Sequence, residues 1–152
     1  MNIRPFAPAD LPQLLHIYNA SKLDELKNES AVFELLPLDQ DPKRLGQLMA
    51  SDIYMYQQTH VNGQVIVAYG AVYQSEIRAL FVHPDNRGQG IGKALLEYLL
   101  LQVSGDASLH VAKSNHNAKA LYEAYGFVVT GEFETEYNGV GVVANQMVRA
   151  FI

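Results

Sequence analysis

The hydrophobic residues near the start of the chain recur at helical spacing. Four of them share one helical face: Leu11, Leu14, Leu15 and Tyr18. Asp10 stands just before this run, and Pro12 and Gln13 fall in its first turn, as they do where a helix begins. A short extended segment around Ile3 precedes them. The pattern therefore predicts a short strand followed by a helix.

Residues typical of β-strands dominate the middle of the chain. Residues 53–59 and 65–73 are rich in Tyr and β-branched residues, and the Asn62-Gly63 pair between them is a strong hairpin signal. Residues 76–82 have the same character and end before a Pro-Asp-Asn break. These segments predict three consecutive strands, of which the first two are antiparallel.

Helical spacing returns after the third strand. Residues 91–103 carry a wide apolar face and predict a mostly buried helix, and residues 108–112 predict a strand. A strand, a helix and a strand in this order predict two parallel strands joined by a right-handed crossover. Residues 117–125 predict a second short helix, and residues 127–137 and 141–150 a closing pair of strands. The predicted fold is mixed α/β, with antiparallel hairpins flanking one parallel crossover.

The first third of the chain also holds a less regular region. Residues 21–41 show no sustained period, although Leu23 and Leu26 fit a possible helix, and we interpret this region as a variable lid or loop-helix. An Asp-Pro pair at 41–42 opens another predicted helix that reaches Met49.

Composition and charge limit the classes of function. The chain has 152 residues, 49% hydrophobic and 18% charged, without an internal repeat, which predicts one folded domain over 1–152. Its net charge of -5 argues against a general nucleic-acid binder, because such binding depends on Lys and Arg. We find no secretory signal and no apolar stretch of bilayer length, so we expect a cytoplasmic protein without membrane association. The absence of Cys excludes disulfides and thiolate nucleophiles.

A glycine-rich turn joins the third strand to the following helix. It comprises Arg87, Gly88, Gln89, Gly90, Ile91 and Gly92. At such a junction, free backbone N–H groups and the helix dipole can bind phosphate oxygens. A dinucleotide fingerprint does not fit, because its third glycine falls on Lys93, and a P-loop does not fit, because Ala94 follows Lys93. A glycine turn without a ligand is the remaining alternative.

The residues around this turn resemble the signature of the GNAT superfamily of N-acetyltransferases. Arg87, Gly90 and Gly92 fill its core element, Arg/Gln-x-x-Gly-x-Gly/Ala. A second segment, residues 115–127, is similar to the family's Asn-x-x-Ala-x-x-Leu-Tyr-x-x-x-Gly-Phe pattern and lies at the expected separation. The chain is therefore identified as a member of this superfamily, with a resemblance that covers nearly all of it except residues 21–52.

The resemblance implies a fold and a cofactor. The expected fold is a GNAT-like twisted, mostly antiparallel sheet with helices on both faces, in which the two parallel strands splay apart. Acetyl-CoA is the expected acyl donor, with its phosphates at residues 87–92 and its pantetheine arm in the gap. The family also implies main-chain hydrogen bonds to this arm around Phe81 and Val82, which otherwise look like core strand residues. It implies a cofactor contact from Asn115, for which a helix cap is the alternative role.

Two residues are candidates for proton transfer. Tyr122 matches the family's tyrosine that can protonate the departing thiolate, whereas its spacing alone would make it a packed aromatic residue. Glu76 lies where some family members carry a carboxylate that removes a proton, usually through water; an ordinary exposed Glu is the alternative. His83 and His110 titrate nearer neutrality but are weaker candidates. The five histidines show no close helical pairing, so we expect no metal.

The leading functional prediction is an N-acetyltransferase. It would transfer the acetyl group of acetyl-CoA to a primary amine of a small molecule or protein, by direct attack in a ternary complex. The alternative is an acyl-CoA-binding sensor or interaction module with little catalysis, which Tyr122 disfavours because a pure binder needs no acid there. The sequence does not name the amine acceptor, and it leaves both a monomer and a homodimer open.

Overall fold

Seven strands form one sheet in the computed structural model, which describes residues 2–151. In chain order they are β1 (Ile3–Pro5), β2 (Asp52–His60), β3 (Gly63–Tyr73), β4 (Glu76–Val82), β5 (Ala107–Ala112), β6 (Val128–Tyr137) and β7 (Val140–Arg149). Their order across the sheet is β1-β2-β3-β4-β5-β7-β6. Neighbouring strands are antiparallel except β4 and β5, which are parallel. The predicted mixed sheet with one parallel crossover is confirmed.

The described residues contain four α-helices. They are α1 (Leu11–Ser21), α2 (Pro42–Met49), α3 (Ile91–Leu101) and α4 (His116–Ala124). The third helix ends two positions before its predicted limit, because the N–H groups of Gln102 and Val103 bond to carbonyls only three residues back and tighten the last turn. No helix within residues 2–151 is long and apolar enough to cross a membrane.

The irregular region after α1 forms 3-10 turns rather than an α-helix. The first turn spans Lys22–Leu26, where the pattern predicted a possible helix, and the second spans Leu38–Gln40. Leu26 is nevertheless buried, in a small cluster with Tyr137 and Val142 of the closing hairpin. This contact fixes the region against the far end of the sheet.

The helices lie on both faces of the sheet, as expected. Tyr69 of β3 packs in one cluster with Leu14 of α1, and α2 contributes to the same cluster. Its neighbour Ala68 points to the opposite face and packs with Leu95 of α3. The α4 helix shares that opposite face, where its apolar side chains pack around the second large cluster. Alternation along β3 thus separates the two helical layers.

The third helix approaches the sheet most closely at Gly70. A Cβ atom placed on Gly70 would lie 2.7 Å from Cδ1 of Leu99, which is closer than carbon atoms pack in protein interiors. Because Leu99 is fully buried, its side chain has little space to move away. The absence of a side chain at Gly70 therefore lets α3 settle onto β3 and β4 with the glycine turn at its beginning.

Candidate functional site

The parallel strands β4 and β5 separate soon after they begin. Their paired positions are Glu76 with Ser108 and Ile77 with Leu109. Beyond Ile77, the described residues of the two strands have no further paired positions. Because paired strands must lie about 4.8 Å apart, a gap opens toward their carboxyl ends. This is the splaying that the resemblance led us to expect.

Along the edge of β4 that faces this gap, some main-chain N–H and C=O groups do not form hydrogen bonds with β3. Phe81 is paired with β3, and the N–H of His83 donates to the carbonyl of Val67 at 2.8 Å. Main-chain groups alternate in direction along a strand. Those of Phe81 therefore point toward β3, and those of Leu80 and Val82 point toward the gap. Leu80 was not among the residues selected from the sequence.

The glycine turn presents a row of unused donors. Gly88 and Gly90 have φ angles of 75° and 77°, a region that favours glycine, and Gly90 is the N-cap of α3. Within the part of the chain that the structure describes, no backbone N–H from Arg87 to Lys93 donates to a protein acceptor. A Cβ on either glycine would meet nothing within 4 Å, so the space above the turn is open. These donors and the positive end of the α3 dipole fit a diphosphate.

Arg87 bridges this turn to other parts of the chain. Its guanidinium forms an ion pair with Asp24, which follows α1. Its Nε atom donates to the carbonyl of Val82 at 3.3 Å, and the hydroxyl of Ser21 donates to the same carbonyl at 3.3 Å. The Arg87 side chain therefore links the end of β4 to the segment after α1.

The remaining turn residues hold the turn in place. Gln89 accepts a hydrogen bond from Gln58 of β2 at 2.8 Å. Ile91 is buried beneath the first turn of α3, where it packs with Ala68 of β3. These contacts fix the turn from its protein side and leave its N–H groups free.

A cavity of about 1200 Å³ joins these features. It runs along the glycine turn, between β4 and β5, and under the segment after α1. It is lined by every site residue selected from the sequence except Gln89. The structure therefore brings together candidates that lie up to 46 positions apart, from Glu76 to Tyr122.

Tyr122 reaches the cavity from α4. Its half-buried ring meets the ring of Phe127 edge-on, with centroids 5.8 Å apart. Burial raises the pKa of the Tyr122 phenol above its ordinary value, and the negative charge of Glu25 adds to this shift. The phenol consequently stays protonated at neutral pH and can donate a hydrogen bond to a developing anion.

Asn115 lies where β5 gives way to α4. Its side-chain oxygen accepts a hydrogen bond from the N–H of Ala118 at 3.4 Å, so the helix-cap role considered for it is present. The same side chain lines the cavity. Asn115 therefore caps α4 and also lines the cavity.

Glu76 lies at the closed end of the gap, beside a residue that the sequence did not single out. Nε of Arg78 donates to its carboxylate at 2.9 Å. Arg78 is itself held by the carbonyl of Gln47 at 3.1 Å, and its guanidinium lies 3.9 Å from the centre of the Tyr73 ring. The Glu76 carboxylate is therefore fixed in position and lines the cavity with one oxygen engaged.

The two histidines considered as alternatives lie apart from each other. His110 is exposed on β5, lines the cavity, and packs edge-on against Phe133 at 4.8 Å. His83 follows β4 and stacks on His16 of α1 at 5.1 Å. Residues 2–151 contain no group of three or more His, Cys, Asp or Glu side chains that could hold a metal ion.

Residues 22–29, which we call the strap, belong to the region that we interpreted from the sequence as a variable lid or loop-helix, and most of them line the cavity. Just before the strap, Ser21 bonds to Val82 at the end of β4, and within it Asn28 donates to the carbonyl of Ser114 at 3.0 Å, just after β5. The strap therefore crosses the gap from one strand to the other. It carries Lys22, whose Nζ atom lies 2.9 Å from Oε2 of Glu25. An irregular charged segment gives no signal of this placement, because no period shows which way its side chains point.

Comparison with known proteins places these features in one family. Residues 26–149 match the acetyltransferase (GNAT) domain family. The chain is also similar to the peptidyl-lysine N-acetyltransferase YjaB of Salmonella typhimurium, with 45% identity over 58 residues. That alignment covers 38% of this chain and 39% of YjaB, so the chain matches well under half the length of this relative.

Solved structures share the fold over nearly the whole chain. A GCN5-related N-acetyltransferase from Rhodopseudomonas palustris has a TM-score of 0.77 and 18% identity, covering 98% of this chain and 94% of that one. The structure of yncA from Salmonella typhimurium with its cofactor acetyl-CoA has a TM-score of 0.69 and 20% identity, covering 99% of this chain and 93% of that one. At these identities the comparison establishes the fold.

Proposed function

The chain belongs to the GNAT acetyltransferase family, and from that premise we propose that it transfers the acetyl group of acetyl-CoA to a primary amine. The single observation that carries this proposal is the row of unused N–H groups from Arg87 to Lys93, at the mouth of the gap between β4 and β5. A diphosphate needs several donors at once, and few sites other than a helix start with open glycines supply them.

The gap supplies a place for the rest of the cofactor. In this proposal the phosphates bind at the turn, with Arg87 adding charge, and the pantetheine arm lies along β4. Its amide groups pair with the main chain of Leu80 and with the N–H of Val82, much as another strand would, while the Val82 carbonyl stays bonded to Ser21 and Arg87. Phe81 lines the cavity but does not offer its main-chain groups to the cofactor, because these groups pair with β3. The acetyl-CoA-bound structure of yncA, which shares this fold, supports the choice of donor.

The chemistry requires an attacking amine and an acid for the sulfur. An uncharged amine attacks the thioester carbonyl, a C–N bond forms, the C–S bond breaks, and the CoA thiolate departs. Tyr122 is the proposed donor to this sulfur, because it lines the cavity and its phenol is protonated at neutral pH. The proposed acetyl position lies in the gap beside Tyr122, which lines the same cavity as Glu76.

Glu76 is the proposed acceptor of the amine's proton, through a water molecule. Arg78 holds one side of its carboxylate, which fixes the carboxylate while leaving oxygen lone pairs for water. Glu76→Gln should therefore slow turnover by about 100-fold at neutral pH, the lower end of the range of general base catalysis. A matched control is Glu97→Gln, which changes a carboxylate on α3 that bonds to Tyr125 instead.

The acceptor in this proposal is a primary amine of a small molecule or a protein. A relative that is a peptidyl-lysine N-acetyltransferase supports a lysine side chain as one such amine.

The decisive experiment is a screen of amine acceptors with acetyl-CoA, read by CoA release and by product mass. The panel should contain lysine peptides, peptides with free N-termini, amino acids and polyamines. We expect turnover with at least one primary amine and a strong loss in Tyr122→Phe. Tight acetyl-CoA binding without any turnover across the panel, and without an effect of Tyr122→Phe, would instead establish a sensor or interaction module.

A further inference from the structure

The strap places a primary amine inside the cavity. The Lys22 side chain is only 14% exposed, and its Nζ atom lies 2.9 Å from Oε2 of Glu25. The same Nζ atom lies 5.2 Å from the centre of the Tyr137 ring and 5.9 Å from that of Tyr18. A carboxylate and aromatic faces are the groups that bind an alkylammonium ion. Lys22 therefore occupies a built ammonium site.

This ammonium site shares a cavity with the residues of the proposed function. Lys22, Glu25 and Tyr122 line the same cavity. Burial is the main cause that raises the pKa of the Tyr122 phenol, and the charge of Glu25 is the second cause. Glu76 does not contribute to that shift. The Glu25 carboxylate, which is bonded to the Lys22 amine, thus also lies within electrostatic range of Tyr122, the proposed acid.

The attachment of the strap positions Lys22 over the gap. Ser21 bonds to the carbonyl of Val82 on the β4 side, and Asn28 bonds to the carbonyl of Ser114 on the β5 side. Lys22 directly follows the first of these anchors. An acetyl-CoA whose pantetheine arm lies along β4 would pass beneath the strap and carry its thioester toward this amine.

We propose that Lys22 is itself an acceptor, and that the protein acetylates the Nζ atom of Lys22 in cis. This inference rests on the proposed function. The Lys22 ammonium first gives its proton to Glu25, and the uncharged amine attacks the thioester carbonyl. The new bond is C–N, the broken bond is C–S, and the departing CoA thiolate receives a proton from Tyr122. The amide product is uncharged, so the ion pair with Glu25 is lost.

The test uses the purified full-length chain with acetyl-CoA at neutral pH and no external amine. We expect one acetyl group in the intact mass, mapped to Lys22 after digestion with a protease that does not cut at lysine. A reaction in cis is first order, with a rate that does not depend on protein concentration. Lys113, which is exposed outside the cavity and pairs with Glu132, reports uncatalysed acetylation within the same molecule.

Variants distinguish catalysed acetylation of Lys22 from uncatalysed acetylation by acetyl-CoA in solution. Lys22→Arg keeps a cation beside Glu25 and should remove the modification. Glu25→Gln and Tyr122→Phe should slow it at least about tenfold, since each removes a proton-transfer group, whereas Glu97→Gln should not slow it. Circular dichroism verifies that each variant is folded. Lys22 labelling no faster than that of Lys113, or labelling insensitive to Glu25→Gln and Tyr122→Phe, would overturn the inference.

The outcomes also separate this inference from the proposed function. If the protein releases CoA with an external amine but stays unmodified at Lys22, the inference is wrong and the proposed function is supported. A protein that does neither overturns both. Acetylation of Lys22 without an external acceptor supports both, because the transfer itself has then been observed.

Discussion

The ring of Phe127 packs edge-on against the ring of Tyr122, and their centroids lie 5.8 Å apart. This contact uses the rings and does not require the Tyr122 hydroxyl. Tyr122→Phe should therefore keep the packing and remove only the proton donor. We expect kcat to fall by about 100-fold, the lower end of acid–base contributions, with little change in acetyl-CoA affinity. Steady-state CoA release and calorimetric binding measure the two quantities.

Tyr125 offers a matched control one turn further along the chain. Its hydroxyl bonds to Glu97 at 2.6 Å on the protein surface, outside the cavity. Tyr125→Phe removes the same atom from the same type of residue, and we expect turnover to stay within about twofold of the parent, as surface changes usually have small effects. An equal loss of turnover in the two variants would assign the effect to the aromatic packing of α4 rather than to proton donation.

Replacing Gly90 should weaken acetyl-CoA binding more than it lowers folding stability. Its φ of 77° makes Gly90→Ala strained by about 1 kcal/mol, and the new Cβ would enter the open space above the turn. If a phosphate loses one charge-assisted hydrogen bond, worth about 1.5–3 kcal/mol, acetyl-CoA binding weakens about 10- to 100-fold. Isothermal titration calorimetry measures this change.

Gly105 provides the control for backbone strain. Its φ is 82°, and a Cβ there also meets nothing within 4 Å, but it lies in the turn after α3, away from the cavity. Gly105→Ala should lose similar stability in urea unfolding and keep the parent affinity for acetyl-CoA. Equal weakening of binding in both glycine variants would place the phosphates elsewhere.

Asp24 competes with phosphate for Arg87. The two side chains form an ion pair while each is nearly half exposed, so the pair contributes little to stability. Asp24→Asn should release Arg87 toward the turn and tighten acetyl-CoA binding by up to about fivefold at low salt, with a smaller gain at high salt. Asp52→Asn, which changes an exposed carboxylate at the start of β2, controls for net charge. Weaker binding in Asp24→Asn would mean that Asp24 aligns Arg87 instead.

The sequence predicted the parts of the site in which neighbours along the chain are neighbours in space. The positive φ angles of Gly88 and Gly90 follow from the residue type in a turn that opens a helix. Asn115 caps the helix that begins one residue later, and Tyr122 lies two turns into it. These are local relationships, so a short motif contains all the information that they require.

The parts that could not be predicted depend on distant contacts. The strap is anchored at Ser21 and Asn28 by bonds that span 61 and 86 positions. The main-chain groups of Leu80 point toward the gap because of the ladder between β3 and β4. The register of that ladder shifts between Ala71 and Val72. Side-chain patterns do not show such a shift. The order of elements was predictable for the opposite reason, because each helix and strand carries its own period.

The ion pair between Arg4 and Asp10 should make stability depend on pH. Two bonds of 2.8 Å join the side chains, and the N–H of Ala7 donates to the same carboxylate. The hydrogen bonds from Arg4 are the main cause that lowers the pKa of Asp10, against the opposing effect of burial. A lowered pKa in the folded state means stability that is present above the unfolded pKa, near 3.9, and lost as pH falls through the folded value.

Asp10→Asn removes this contribution. At pH 7 it should cost about 1–3 kcal/mol, as a hydrogen bond to a charged group does, and the difference from the parent should shrink as the pH falls below 4. Urea unfolding at several pH values measures it. Asp39→Asn, an exposed carboxylate before α2, is the control and should show no such pH dependence. A constant difference at all pH values would assign the effect to packing rather than to charge.

Gly70 and Leu99 should be energetically coupled. A Cβ at Gly70 would lie 2.7 Å from Cδ1 of Leu99, and Leu99 is fully buried, so Gly70→Ala should cost about 1–3 kcal/mol through overpacking. Leu99→Ala alone should cost about 2–5 kcal/mol through loss of apolar contact and the cavity left behind. In the double variant the new methyl group enters space that Leu99 vacated. The double variant should therefore lose less stability than the sum of the two, by about 1 kcal/mol or more. Additive losses in urea unfolding would show that α3 moves away from β3 instead, and acetyl-CoA affinity would then fall with it, because the turn that begins α3 would move too.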